Sequence, residues 1–347
     1  MKKCKFPLYV FVAEALSTPL LEFYAFVDQL AECGSWGIRM FGQTGWSTVK
    51  TLPWHQAVWK GTPVVYRDPD THIDFPVYDH RKKNAFYWSN LRSRLAYMKL
   101  RGQRAVISAY DNCDIKDGLP NHGKFRNPFM CSLQTMSREE YWPDIFPREA
   151  VYNDPEVKPS PGGFYGNARK PWHKAWVVDL IKAVKASGVD FVFEPVNEVT
   201  DLGWDAQGHP EIPYNWYRWL YGIMRGFLGS RLPKARIIVH SGKPEYSKGL
   251  GQYWQHGVVK PEDIDPRYFF YSGDGGAKGR SLIDIDIKGR VGLSVDDGQK
   301  IARLIKAHGK GGLEIMPKIL NKYNDNMVKL PLFNPLVCKK VAEESWK

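Results

Sequence analysis

The sequence predicts an α/β protein: a single (β/α)8 TIM barrel over residues 1–347, with long loops after strands two and three. Three observations predict it. The stretch Asp190-Phe191-Val192-Phe193-Glu194-Pro195-Val196-Asn197-Glu198 sets large apolar residues in a row and then runs into a polar end. A strand buried on both faces reads this way, and such strands belong mainly to parallel sheets covered by helices. Apolar runs also alternate with stretches of helical periodicity along most of the chain. Finally, a length of 347 residues fits one large barrel domain, or two ordinary domains.

Composition narrows the class. With 43% hydrophobic and 25% charged residues the chain can bury a core, which excludes a disordered protein. The net charge is +12, but the basic residues are scattered and no dense Lys/Arg run alternates with aromatics. That argues for solvated faces and against nucleic acid as partner. No apolar stretch has the length of a membrane span. The five cysteines are far apart and form no CxxC, which argues against a zinc ribbon and leaves the redox compartment open. Met1-Lys2-Lys3-Cys4-Lys5 before the apolar run Phe6 to Val12 has some likeness to a leader. Glu14 interrupts the run and no small-residue cleavage site follows, so it reads as the first strand. The compartment stays undetermined; secretion or action at a cell surface is compatible with the sequence.

Taken in order, Phe6 to Ala13 is strand one. Leu20, Phe23, Val27 and Leu30 then recur at helical spacing, with Gly34 just past the end. Strand two is Trp36 to Gly42, with Arg39 inside it. Residues 43–82 carry Trp46, Trp54, Trp59, Tyr66, His72, Asp74 and His80 among prolines and glycines. They read as a long loop with room for a hairpin. Tyr87, Trp88, Leu91, Leu95 and Met98 mark a helix ending near Gly102. Strand three, Arg104 to Tyr110, exits through Tyr110-Asp111-Asn112. Residues 113–171 form a second long insertion; loops of such length in a compact domain are usually functional. Trp172, Trp176, Leu180, Ile181 and Val184 form the helix before strand four, closed by Gly188. The loop 200–213 carries Trp204 and His209, and Trp216 to Phe227 is the next helix. Strand five is Arg236 to Gly242, including His240. Strand six is expected at Tyr268 to Asp274, helix Asp297 to His308 follows, and Leu313-Glu314-Ile315-Met316-Pro317 is expected as strand seven. Val328 to Phe333 is the candidate for strand eight, with a last helix from Leu336 to Trp346.

Glu194-Pro-Val-Asn197-Glu198 resembles the fourth strand of the retaining glycoside hydrolases of the large barrel clan that includes the cellulase-like, family 5-type enzymes. The resemblance implies that Glu198 is the general acid/base and that Asn197 binds a sugar hydroxyl. Arg39 matches by position an arginine that holds a catalytic carboxylate ionised. Leu313-Glu314-Ile315 resembles the seventh strand, which makes Glu314 the nucleophile. Tyr271 matches a tyrosine after strand six. The resemblance also expects histidines at the ends of strands three and six; here Tyr110, Asp111 and Asp274 stand at those places. His240, Trp46 and Trp204 complete the substrate-binding candidates, because flat aromatic faces stack on sugar rings, although tryptophans also pack helices onto barrels. No cofactor or metal is implied. The partner is a carbohydrate, and the positive charge suits an anionic one.

Bland readings remain beside these. Asn197 and Glu198 also fit a helix N-terminus, as cap and first-turn acid. Arg39 also fits a structural ion pair, and Glu314 an edge strand facing solvent. A different class is open as well. Glu194, His240, Asp274 and Glu314 all fall near strand ends and could hold Mn, Mg or Zn, as in a metal-dependent sugar isomerase or hydrolase. A carbohydrate-binding barrel without catalysis is the third reading.

Overall fold

The structure, a computed structural model, describes residues 2–12, 15–42, 52–67, 74–111, 115, 128–129, 132–134, 164–167, 169–197, 211–228, 237–241, 252–258, 282–285, 295–308, 312–315 and 335–347. Its centre is a parallel sheet. Among the described residues the sheet has eight strands: β1 (Leu8–Phe11), β2 (Gly37–Phe41), β9 (Arg104–Asp111), β10 (Asp190–Asn197), β11 (Ile238–Ser241), β12 (Gln252–Val258), β13 (Leu282–Ile285) and β14 (Gly312–Ile315). They neighbour one another in chain order, and β14 pairs with β1, so first and last strands are adjacent. One parallel bridge, Phe193↔Ile237, links β10 to the residue before β11. This sequential, parallel connectivity is that of the barrel class.

The sheet has two different faces because side chains alternate along each strand. Leu8 and Val10, Ile38 and Met40, Ala105 and Ile107, and Phe191 and Phe193 enter one large apolar core together with the helices. Tyr9, Val106, Val192 and Ile238 form a separate small cluster on the other face. The helices are α1 (Leu20–Glu32), α2 (Ala85–Leu100), α3 (Lys170–Ser187), α4 (Glu211–Leu228), α5 (Val295–His308) and α6 (Pro335–Trp346). Each buries one stripe against the outer face: Phe23, Phe26, Val27 and Leu30 from α1, for example, and Trp176, Leu180, Ile181 and Val184 from α3. Their ends follow local chemistry. Asn84 accepts from the backbone N–H groups of Phe86 and Tyr87 at the start of α2. Gly188 closes α3 at φ 68°, a left-handed conformation that favours glycine. Gly37 answers a packing need instead: a Cβ there would lie 1.8 Å from the Arg104 carbonyl oxygen.

Between β2 and α2 the chain builds three small antiparallel pairs from β3 (Trp54–Gln56) with β8 (Tyr78–Lys83), β4 (Val58–Trp59) with β5 (Thr62–Pro63), and β6 (Val65–Arg67) with β7 (Asp74–Pro76). The expected hairpin is thus two successive hairpins, β4–β5 and β6–β7, both enclosed by the β3–β8 pair; β4–β5 turns at Lys60 and Gly61, both at positive φ.

Two expectations from sequence need correction. The strand carrying Glu314 is eighth in the sheet, not seventh, because β14 hydrogen-bonds β1 with Tyr9 opposite Glu314. The sixth and seventh strands are β12 and β13. Gln, His and Gly break the apolar pattern of β12, and β13 is only four residues long. The aromatic run at 268–274 was more conspicuous; it lies outside the described residues, as does 328–333.

Candidate active site

In a barrel the reactive end is where the strands' C-termini emerge. The described polar residues gather there on β2, β9 and β10. Arg39 is buried and grips Glu194 from two directions: Nε donates to Oε2 at 2.9 Å, and Nη2 donates to Oε1 at 3.0 Å and to Oε2 at 2.7 Å. Ser108 Oγ also donates to Glu194. Arg39 Nη2 then donates to Asn197 Oδ1 at 2.6 Å, and Asn197 Nδ2 donates to Asp111 Oδ1 at 2.8 Å. The guanidinium lies 4.7 Å from the Phe11 ring centre and 5.7 Å from that of Phe41. Every member of this chain of bonds is at most 6% exposed. A buried carboxylate without such partners would be costly, so Glu194 and Arg39 require one another.

The path of β10 explains how Glu194 and Asn197, three positions apart, reach the same arginine. In a regular strand they would face opposite ways. Val192 belongs to the inner cluster, yet Val196, four residues on, lies in the outer core. Val106 and Tyr110 on β9 repeat the switch, and the two strands keep register through it, with Glu194↔Ser108 and Val196↔Tyr110. Between them stands Pro195, which has no N–H to give the ladder. The carbonyl of Ala109, at the matching place on β9, accepts from Trp176 Nε1 at 3.2 Å. The proline therefore re-phases both strand ends, turning Asn197 and Asp111 toward Arg39 and Tyr110 away from it.

Tyr110 consequently does not join the site, contrary to the expectation from sequence. Its ring packs among Phe129, Phe164, His173 and Trp216. Its hydroxyl bonds His173 Nδ1 at 2.8 Å, while His173 Nε2 bonds the Phe164 carbonyl at 2.9 Å. The carbonyl can only accept, so Nε2 carries the proton and Nδ1 accepts from the phenol. Burial pushes the Tyr110 phenol well above its usual range and drives His173 down to about 3. His80 is likewise held at about 3 by burial, with Nε2 on the Pro128 carbonyl at 3.1 Å. These histidines pin segments of the 113–171 region against the barrel.

The structure thus brings together Arg39, Asn197 and Asp111 from the sequence candidates. Arg39 clasps a carboxylate in bidentate fashion, that of Glu194. Glu194 and Ser108 were missed as members of this group. The signal was present: a glutamate inside a buried apolar run must have a cation nearby. Glu314 is placed by its backbone on β14, opposite Tyr9 and Asp284, and His240 by its backbone on β11, opposite Trp254. Glu198, Tyr271, Asp274, Trp46 and Trp204 lie outside the described residues. Among the described residues, no three His, Cys, Asp or Glu side chains are placed to hold a metal ion, and no helix is long and apolar enough to cross a membrane. For a cation to use Glu194, it would have to displace Arg39.

No protein-family model matches the chain, and no curated protein matches it. Solved structures do. A GH5_18 structure from Streptomyces cattleya in complex with GlcNAc aligns at TM-score 0.55 and 11% identity, over 99% of this chain and 80% of that one. A glycoside hydrolase family 5 enzyme from Prevotella bryantii B14, solved with a xyloglucan tetradecasaccharide, aligns at 0.51 and 12% identity over 99% of both chains. A GH113 β-1,4-mannanase aligns at 0.51 and 9% identity, over 100% of this chain and 99% of that one. Some neighbours are longer: the chain spans 50% of a Prevotella bryantii endo-β-mannanase/endo-β-glucanase. At these identities the likeness establishes a shared fold.

Proposed function

We propose that residues 1–347 form a single (β/α)8-barrel domain, a glycoside hydrolase that cleaves a poly- or oligosaccharide by double displacement. Glu198 is the general acid/base and Glu314 the nucleophile. The observation that carries the reading is the fixed strand end: Asn197 is held by Arg39 and Asp111, and the next residue in the chain is Glu198. The likeness to barrel glycoside hydrolases supports the reaction class.

The chemistry needs two carboxyl groups about 5–5.5 Å apart. Glu314 attacks the anomeric carbon while Glu198 gives a proton to the departing oxygen. Glu198 then takes a proton from the water that releases the glycosyl-enzyme. The support for Glu314 is its strand: β14 stands four places from β10 in the ring, and the flanking Leu313 and Ile315 belong to the outer core. Family resemblance alone would put the nucleophile one strand earlier. Arg39 acts here through Glu194 and Asn197, fixing the end of β10. Asp111, Tyr271, Asp274, Trp46, Trp204 and His240 are the proposed sugar contacts, and the net charge of +12 suits an anionic polymer.

The test is turnover of a polysaccharide and aryl-glycoside panel, with product anomers followed by NMR and a parallel run in chelator. Retention of configuration, indifference to chelator and loss of turnover in Glu198→Gln support the reading. Chelator-sensitive isomerisation, or sugar binding without turnover, replaces it by a metal-dependent enzyme or a binding barrel.

A further inference from the structure

The N-terminal end of β1, away from the polar cluster, gathers thiols. Cys4 precedes β1, Cys33 follows α1, and Cys338 lies in α6; all three are buried free thiols. The contacts around them join the two ends of the chain. Cys4 N–H donates to the Gly34 carbonyl at 2.8 Å, the Lys5 N–H donates to Ser345 Oγ at 2.9 Å, and Trp346 Nε1 donates to the Lys3 carbonyl at 2.9 Å. Cys33 and Cys338 share the core where α6 packs against the α1 end of the fold; Cys33 Sγ donates to the Leu30 carbonyl at 3.4 Å, and the Cys338 thiol is its hydrogen-bonding neighbour. Cys4 stands beside Ser345. The trio is not placed as a metal site, which leaves thiol chemistry.

We propose that Cys33 and Cys338 form a disulfide when the protein meets a low-molecular-weight disulfide, tying the last helix to the first across the seam where β14 meets β1. The Cys33 thiolate attacks one sulfur of the small disulfide, expelling one thiolate and leaving a mixed disulfide on Cys33. Cys338 then loses its proton and attacks the Cys33 sulfur, expelling the second thiolate. Two protons leave the cysteines and two small thiols are formed, so two protein thiols are oxidised as one small disulfide is reduced. The order of attack follows from the pair itself. The bond from Cys338 holds the Cys33 thiol below its usual range, whereas burial, then that same bond, pushes Cys338 well above it. Because both sulfurs are buried, the exchange runs before α6 docks during folding, or when α6 opens.

The closed loop would contain nearly the whole chain, so the bond chiefly restricts the unfolded state. The experiment refolds the full chain in glutathione buffers, either reduced or rich in oxidised glutathione. Remaining thiols are blocked and unreduced peptides mapped by mass spectrometry. The expected result is a peptide pair joining positions 33 and 338, two mass units lighter than the two thiol peptides combined. It should persist in Cys4→Ser. The urea midpoint should be higher for the oxidised than for the reduced protein, a difference abolished in Cys338→Ala and in Cys33→Ala. Free thiols or glutathione adducts at both positions, or a cross-link to Cys4 in the wild-type chain, would overturn the proposal. Peptide mapping of the wild-type chain decides this even where a variant does not fold.

Discussion

Replacing Glu194 by alanine leaves the Arg39 guanidinium, 1% exposed, without its bidentate partner. The loss includes both Glu194 oxygens as acceptors for Arg39 and the bond from Ser108. Breaking one side of a buried pair costs about 3–5 kcal/mol, because the surviving charge stays buried. An unfolding entropy of about 2.1 cal/mol/K per residue, taken over 347 residues, makes ~4 kcal/mol a fall in Tm of about 5–6 °C. Arg39→Met should cost a similar amount for the mirror-image reason. The double variant Arg39→Met/Glu194→Met removes both charges and should recover most of either loss, since apolar replacement of a whole buried pair is often neutral. Calorimetry or urea unfolding of the four proteins gives the cycle. A loss below about 1 kcal/mol in Glu194→Ala, or a double variant as unstable as the sum of the singles, would refute the coupling on which the fixed end of β10 depends.

Further outcomes follow from other parts of the fold. His80 and His173 are both depressed by burial from the usual 6.5 to about 3, so the unfolded chain binds more protons than the folded one between those values. Their contribution is fully present above pH 6.5 and is lost as pH falls toward 3. Each steepens the decline by up to about 1.4 kcal/mol per pH unit, and urea titrations of His173→Gln should show the slope reduced by one proton. Tyr110→Phe removes the donor to His173 Nδ1 and should cost about 1–3 kcal/mol of stability, with turnover per folded molecule unchanged. A collapse of kcat in that variant would return Tyr110 to the active site. Gly37→Ala drives a methyl into the Arg104 carbonyl and should destabilise by about 3 kcal/mol or more, read as insoluble expression or a lowered urea midpoint.

The parallel-strand signal was strongest where both faces of a strand are apolar. β1, β2, β9 and β10 are therefore visible in the sequence to within two residues at either end, and α1, α2 and α3 are visible together with the glycine that follows each. β12 and β13 were hidden because Gln252, Gln255, His256 and Asp284 break the apolar runs, and pairing to neighbours defines those strands more than composition does. Without them the strand numbering slipped by one, and Glu314 was assigned to the seventh strand. At the site, Asn197 and Asp111 could be picked out as polar residues ending apolar runs, and Arg39 through its place in the resemblance to the barrel hydrolases. Their true linkage could not. It depends on Pro195 re-phasing two strands at once, a tertiary consequence of a missing N–H that no one-strand pattern contains. Tyr110 was misread for the same reason: simple alternation from Val106 and Ser108 turns it inward.

The most direct test of the central claim is activity on the best substrate of the panel for the wild-type chain, Glu198→Gln, Glu314→Gln and Glu198→Ala with added azide. The account predicts turnover reduced by orders of magnitude in both glutamine variants at unchanged Tm, and azide restoring Glu198→Ala through a β- or α-glycosyl azide of retained configuration. Full activity in Glu198→Gln would contradict it outright; a wild-type rate in Glu314→Gln alone would move the nucleophile to another strand while leaving the acid/base in place.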